Sequence, residues 1–90
     1  QAPYNPIFHN DIGTAFLLDR SYDAAISEFR EAIRLSPNEP IYHVNLGLSL
    51  KELGRAGEAL HALREALRLD PPNSVAQSAL DELQSSAHGQ

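Results

Sequence analysis

Ninety residues, 42% of them hydrophobic, with a formal net charge of −5, describe one small domain with a modest packed core. The acidic balance excludes a protein that tracks nucleic-acid phosphates, which needs a basic face, and no apolar run approaches the ~20 residues that span a bilayer. The absence of cysteine excludes a disulfide framework, a thiolate metal site and a thiol nucleophile.

Residues 1–5 read as a short lead-in; with no signal-peptide pattern and no initiating Met, the N-terminus reads as cut. Cytoplasm and bacterial periplasm are both compatible with the composition, the cytoplasm being favoured. Asn5-Pro6 is an N-cap followed by proline at the first helical position, where the missing N–H costs nothing. Phe8, Ile12, Ala15, Phe16 and Leu18 then recur at three- and four-residue spacing, which predicts an amphipathic helix to Asp19. Arg20-Ser21 breaks the pattern. A second helix starts at Asp23 with Ala25, Ile26, Phe29, Ala32, Ile33 and Leu35 as its buried stripe, and Pro37 stops it.

The cycle restarts at Pro40. A third helix runs to Leu53, where Gly54 supplies the positive-φ stop. A fourth runs from Gly57 to Leu69 and is closed by Asp70-Pro71-Pro72. Asn73 or Ser74 caps a fifth, which extends to about Ser86, and residues 87–90 are expected to fray.

The two halves match at an offset of 34. Pro6 through Glu39, laid over Pro40 through Asn73, gives 11 identities, among them Gly13/Gly47, Ala25/Ala59, Ala32/Ala66 and Pro37/Pro71. A fixed period of this length is the mark of a stacked-repeat architecture. His9-x2-Ile12-Gly13-x2-Phe16, Ala25-x3-Phe29, Ala32, Pro37 and its second copy at His43, Leu46, Gly47, Leu50, Ala59, Leu63, Ala66 and Pro71 resemble the tetratricopeptide repeat signature. The resemblance implies an all-α fold: a right-handed α-solenoid of two antiparallel helical hairpins (6–39 and 40–73) plus a fifth, solvating helix at 74–86.

Three positions depart from the signature. Both units carry His where Trp is usual, Arg20 stands in a glycine slot, and Asp81 takes the place of Gly47 in the fifth helix. Arg20 carries about 1 kcal/mol of strain if its φ is positive, and Asp81 suggests an array that ends there. Two units are few, since such arrays generally need about three; the expectation is an excised piece of a longer protein or a dimer.

The family's members are scaffolds that bind peptides or proteins along the first helix of each pair. By resemblance, the groove here presents Ile7, Asn10, Thr14 and Leu17, then Ile41, Val44, Asn45, Leu48 and Lys51, then Val75, Ser78, Ala79 and Glu82. This lining suits an extended or helical apolar segment, although the same residues would also serve to pack against the cap helix or a neighbouring repeat. Chaperone-binding members clamp the C-terminal carboxylate of heat-shock proteins with two lysines, an arginine and two asparagines. The matching positions hold Asn10, Thr14, Asn45, Val75 and Ala79, so the resemblance implies a partner other than the chaperone C-terminal carboxylate motif.

No enzymatic constellation is present in the sequence. Ser27 and Ser49 lack a plausible His and carboxylate arrangement, and there is no Gly-rich phosphate loop. No cofactor or metal is expected. No two histidines lie three or four apart on one helix, so His9, His43 and His61 read as imidazoles packed between helices rather than ligands. Arg30, Arg34, Arg64 and Arg68, interleaved with Glu28, Glu31 and Glu65, read as a solvated mixed face, with an acidic partner as the other reading. The expectation is a non-catalytic interaction scaffold. The alternatives are self-association as a homodimer around Tyr4, Ile7 and Phe8, or a regulatory appendage of an enzyme in the parent chain.

Overall fold

The computed structural model describes residues 5–88, with side chains through residue 85. Five helices follow one another: α1 (Pro6–Leu18), α2 (Tyr22–Leu35), α3 (Pro40–Glu52), α4 (Ala56–Leu69) and α5 (Ser74–His88). Among the described residues there is no strand, and no helix is long and apolar enough to cross a membrane. The helix limits lie within two residues of those expected, α5 being the longest overrun.

Local chemistry sets the boundaries. The Asn5 side chain accepts the Ile7 N–H at 2.9 Å, and Asn73 accepts the Ala76 N–H at 2.9 Å, so asparagine caps both the first and the last helix. The two hairpin turns are copies of each other. Arg20 has φ 64° and Gly54 has φ 87°. In each turn the next residue closes a six-residue loop, Ser21 N–H to Phe16 O at 2.8 Å and Arg55 N–H to Leu50 O at 2.9 Å. Arg20 thus holds the left-handed conformation without glycine's freedom.

Packing follows chain order. Each helix lies against the next, while α1–α3 and α3–α5 touch more lightly. The result is elongated, 47 × 27 × 17 Å. Phe29 and Leu63 are fully buried, each over the glycine of the preceding helix, Gly13 and Gly47 respectively. Burying side chains of this size contributes about 1.5–3 kcal/mol each. Ala25, Ala32, Ala59 and Ala66 are fully buried beside them, and their small size permits the close approach. α5 closes the second hairpin: Ala76, Ala79 and Leu80 meet Val44, Leu63 and Ala66 in one apolar cluster.

Candidate functional site

The first helices of the repeats, α1 and α3, line up with α5 to form a continuous face. Its centre is an amide pair: Asn45 Nδ2 donates to Asn10 Oδ1 at 2.9 Å, tying α1 to α3. Below it, Thr14 and Ser49 donate their hydroxyls to backbone carbonyls one turn back, Asn10 O at 2.8 Å and Asn45 O at 2.9 Å. Both hydroxyls are thereby spent on their own helices. Ile7 and Ile41 stand exposed at one end of this face, and Leu17 is half-buried.

At the other end, Leu48, Lys51, Val75, Ser78, Ala79 and Glu82 border a shallow hollow of about 300 Å³. Lys51 Nζ bonds Glu82 Oε1 across the hollow at 3.1 Å and its neighbour Glu52 at 3.2 Å. The hydrogen bond to Glu82 raises the lysine's pKa, against a partial opposing effect of burial. Leu48 is half-buried against the apolar cluster under α5.

Two of the expected lining residues do not face outward. Val44, 1% exposed, and Ala79 lie in the core between α3, α4 and α5. The expected face was drawn from helix position alone, and α5 crosses α3 at just this turn. Val44 therefore acts as packing and Ala79 packs in that cluster while edging the hollow; Ile7, Asn10, Thr14, Leu17, Ile41, Asn45, Leu48 and Lys51 are half-buried or exposed.

Two of the three histidines are held in place, by polar bonds that their spacing did not announce, whereas His61 is exposed on α4 rather than packed between helices. His9 Nδ1 meets Glu28 Oε1 at 2.7 Å, and His43 Nε2 meets the Pro37 carbonyl at 2.8 Å. Among the described residues no group of three or more His, Cys, Asp or Glu is placed to hold a metal ion. The outer arginines pair with carboxylates. Arg34 bonds Glu31, Arg68 bonds Glu65, and Glu58 bridges Arg55 and Arg30 at 2.9 and 3.1 Å. These guanidinium hydrogen bonds hold the carboxyls of Glu31, Glu58 and Glu65 below the usual carboxylate range. Tyr4 lies outside the described residues; Phe8 is exposed on α1.

Two family models match the chain: one described as TPR repeat over residues 21–54, the other as tetratricopeptide repeat over residues 40–73. No curated protein matches by sequence. Among solved structures the chain is similar to the second TPR domain of human RPAP3 in complex with the HSP70 peptide SGPTIEEVD, at 23% identity. That match has a TM-score of 0.88 and covers 91% of this chain and 68% of the other. It is similar to the first TPR of Spaghetti (RPAP3) bound to the HSP90 peptide SRMEEVD, at 22% identity and TM-score 0.92, covering 94% and 68%. The Arabidopsis OM64 TPR domain matches at 24% identity and TM-score 0.90, covering 93% and 69%.

The first two likenesses correct one expectation. Excluding the chaperone C-terminal carboxylate motif does not hold, because two structures of this fold carry such peptides. The exclusion scored five slots and counted no cation among them. Lys51 lies outside those slots, yet it faces the hollow and already holds a carboxylate.

Proposed function

The chain belongs to the tetratricopeptide repeat family, and on that premise we propose that it is a non-catalytic scaffold binding an extended peptide or protein segment along α1, α3 and α5. The amide pair carries this reading. With Asn45 Nδ2 given to Asn10 Oδ1, the Asn45 oxygen and the Asn10 amide N–H groups remain to pair with a peptide's own N–H and C=O. Ile7 and Ile41 offer apolar contact on one side. On the other, Lys51 takes a carboxylate, with Glu82 as its internal substitute.

Peptides ending in acidic residues are the first partners to measure, SRMEEVD and SGPTIEEVD being available sequences of that type. Fluorescence anisotropy with either peptide should show saturable binding. Lys51→Glu should weaken it about tenfold or more, as expected for loss of a charge-assisted hydrogen bond, and Val75→Glu, at an exposed position on the hollow, should abolish it with a nearly unchanged helical melt. Equal binding by wild type and both variants would remove the groove from the reading.

A second reading, self-association, has its own observation. Tyr42 and Ser49 of α3 are buried, whereas their repeat equivalents on α1, Phe8 and Ala15, are exposed, and Leu18 beside them is 81% exposed. A second copy covering this face would appear as a dimer in sedimentation velocity, dissociated by Phe8→Glu. A monomer at high concentration ends this reading.

A further inference from the structure

A cavity of about 470 Å³ lies away from the groove, between α2, α3 and α4, and shares no residue with it. Its floor is apolar: Ile33, Leu46, Leu50 and Ala62. Its mouth carries Arg30 and Glu58, which bond each other at 3.1 Å. At this size it falls in the range of small-ligand sites.

The cavity results from a difference between the two repeats. In the first, His9 Nδ1 is met by Glu28 at 2.7 Å. The equivalent of Glu28 in the second repeat is Ala62 (28 + 34 = 62). No carboxylate stands at that position, and Ala62 forms part of the cavity wall. His43, the equivalent of His9, is only 8% exposed and donates Nε2–H to the Pro37 carbonyl, which can only accept. Its Nδ1 is therefore a lone-pair acceptor in the neutral ring, and no group among the described residues bonds to it. No buried side-chain nitrogen or oxygen lacks a partner among the described residues, so this Nδ1 is not sealed off, and His43 is one of the residues that line the cavity. Gly57 also lines the cavity, and a Cβ there would meet nothing within 4 Å.

We propose that this cavity is a second binding site, which takes a tyrosine side chain from a partner segment, its hydroxyl donating to His43 Nδ1. Three physical requirements select the occupant. The floor wants an apolar body, and an aromatic ring covers it with few rotatable bonds lost. The acceptor wants a donor, because an aliphatic or phenyl group would desolvate Nδ1 without replacing its hydrogen bond. The donor must lie at the tip, since His43 is the most buried polar group of the lining while the partner's backbone stays outside. A phenol meets all three. An indole carries its N–H on the side of the ring, and a carboxylate has no proton to give Nδ1 and would compete with Glu58 for Arg30.

The test is an NMR titration of the labelled chain with N-acetyltyrosinamide and, as the matched probe lacking the hydroxyl, N-acetylphenylalaninamide. The tyrosine probe should shift the signals of Ile33, Leu46, Ala62 and the His43 ring, and bind about fivefold tighter than the phenylalanine probe, the equivalent of one net hydrogen bond. Ala62→Glu should restore the first repeat's ion pair, fill the cavity and remove the response. Gly57→Leu puts a bulky side chain on the lining where a Cβ meets nothing within 4 Å, and should weaken the response even if Ala62→Glu fails to fold. Equal affinity of the two probes, shifts confined to the α1–α3–α5 groove, or a response that survives Gly57→Leu would overturn the proposal.

Discussion

Leu63 sits so close over Gly47 that a Cβ on the glycine would lie 2.6 Å from Leu63 Cγ. Gly13 bears the same relation to Phe29, with 2.6 Å to Cε1. In an exposed helix, Gly→Ala stabilises by about 1 kcal/mol. Here the sign should reverse, because neither buried partner can swing away. Gly47→Ala is expected to cost about 1–3 kcal/mol, the usual range for overpacking. Gly57→Ala, with open space around it, should be neutral or stabilising. Thermal denaturation followed by circular dichroism compares the two; a stabilised Gly47→Ala would refute the close-packing account.

Arg20 and Gly54 occupy the same place in the two hairpin turns, both at positive φ. Arg20→Gly should raise stability by about 1 kcal/mol by relieving the left-handed conformation. Gly54→Arg should lower it by a similar amount. Chemical denaturation of the two variants checks the pair, and opposite signs are the expected outcome.

The Asn10–Asn45 bond joins the first helices of the two repeats. A double-mutant cycle to alanine should return a coupling of about 0.5–1.5 kcal/mol. A coupling near zero would show that solvent competes fully for the amides.

Titration should narrow the stable range from both ends. Lys51, raised by its bond to Glu82, and Tyr42, raised by burial and by the charges of Glu39 and Asp11, have folded pKa values above their unfolded ones. Their stabilisation is complete below the unfolded values of about 10 and is lost as pH rises through the folded ones. Glu31, Glu58 and Glu65, lowered by their arginine partners, behave oppositely. Their contribution is present above about pH 4.3 and fades as pH falls through the folded values. These exposed pairs are also screened by salt. From these groups the melting temperature is expected to fall below about pH 4.3 and above about pH 10, with the alkaline fall reduced in Lys51→Met.

Much of this was legible because the repeat states each packing slot twice. Gly13/Gly47 against Phe29/Leu63 is a small-over-large rule that holds in both copies, and the left-handed turn at Arg20 follows from its alignment with Gly54. The failures share a cause: side chains acting between helices rather than along them. Position on α3 does not reveal that α5 covers Val44. The His9–Glu28 bond links residues 19 positions apart on different helices, so no spacing rule signals it. Five clamp positions without a cation do not exclude chaperone-type peptides, since two similar structures carry them.

The chain-order packing has a mechanical consequence. Helices that lean on their sequence neighbours form a molecule whose ends can yield without loosening its middle. Force applied along the long 47 Å axis would detach one hairpin at a time, each 34-residue unit releasing roughly 110 Å of chain. α5, held more lightly by α4 and α3 than α1 is by α2, is the seam at which such a spring starts to open.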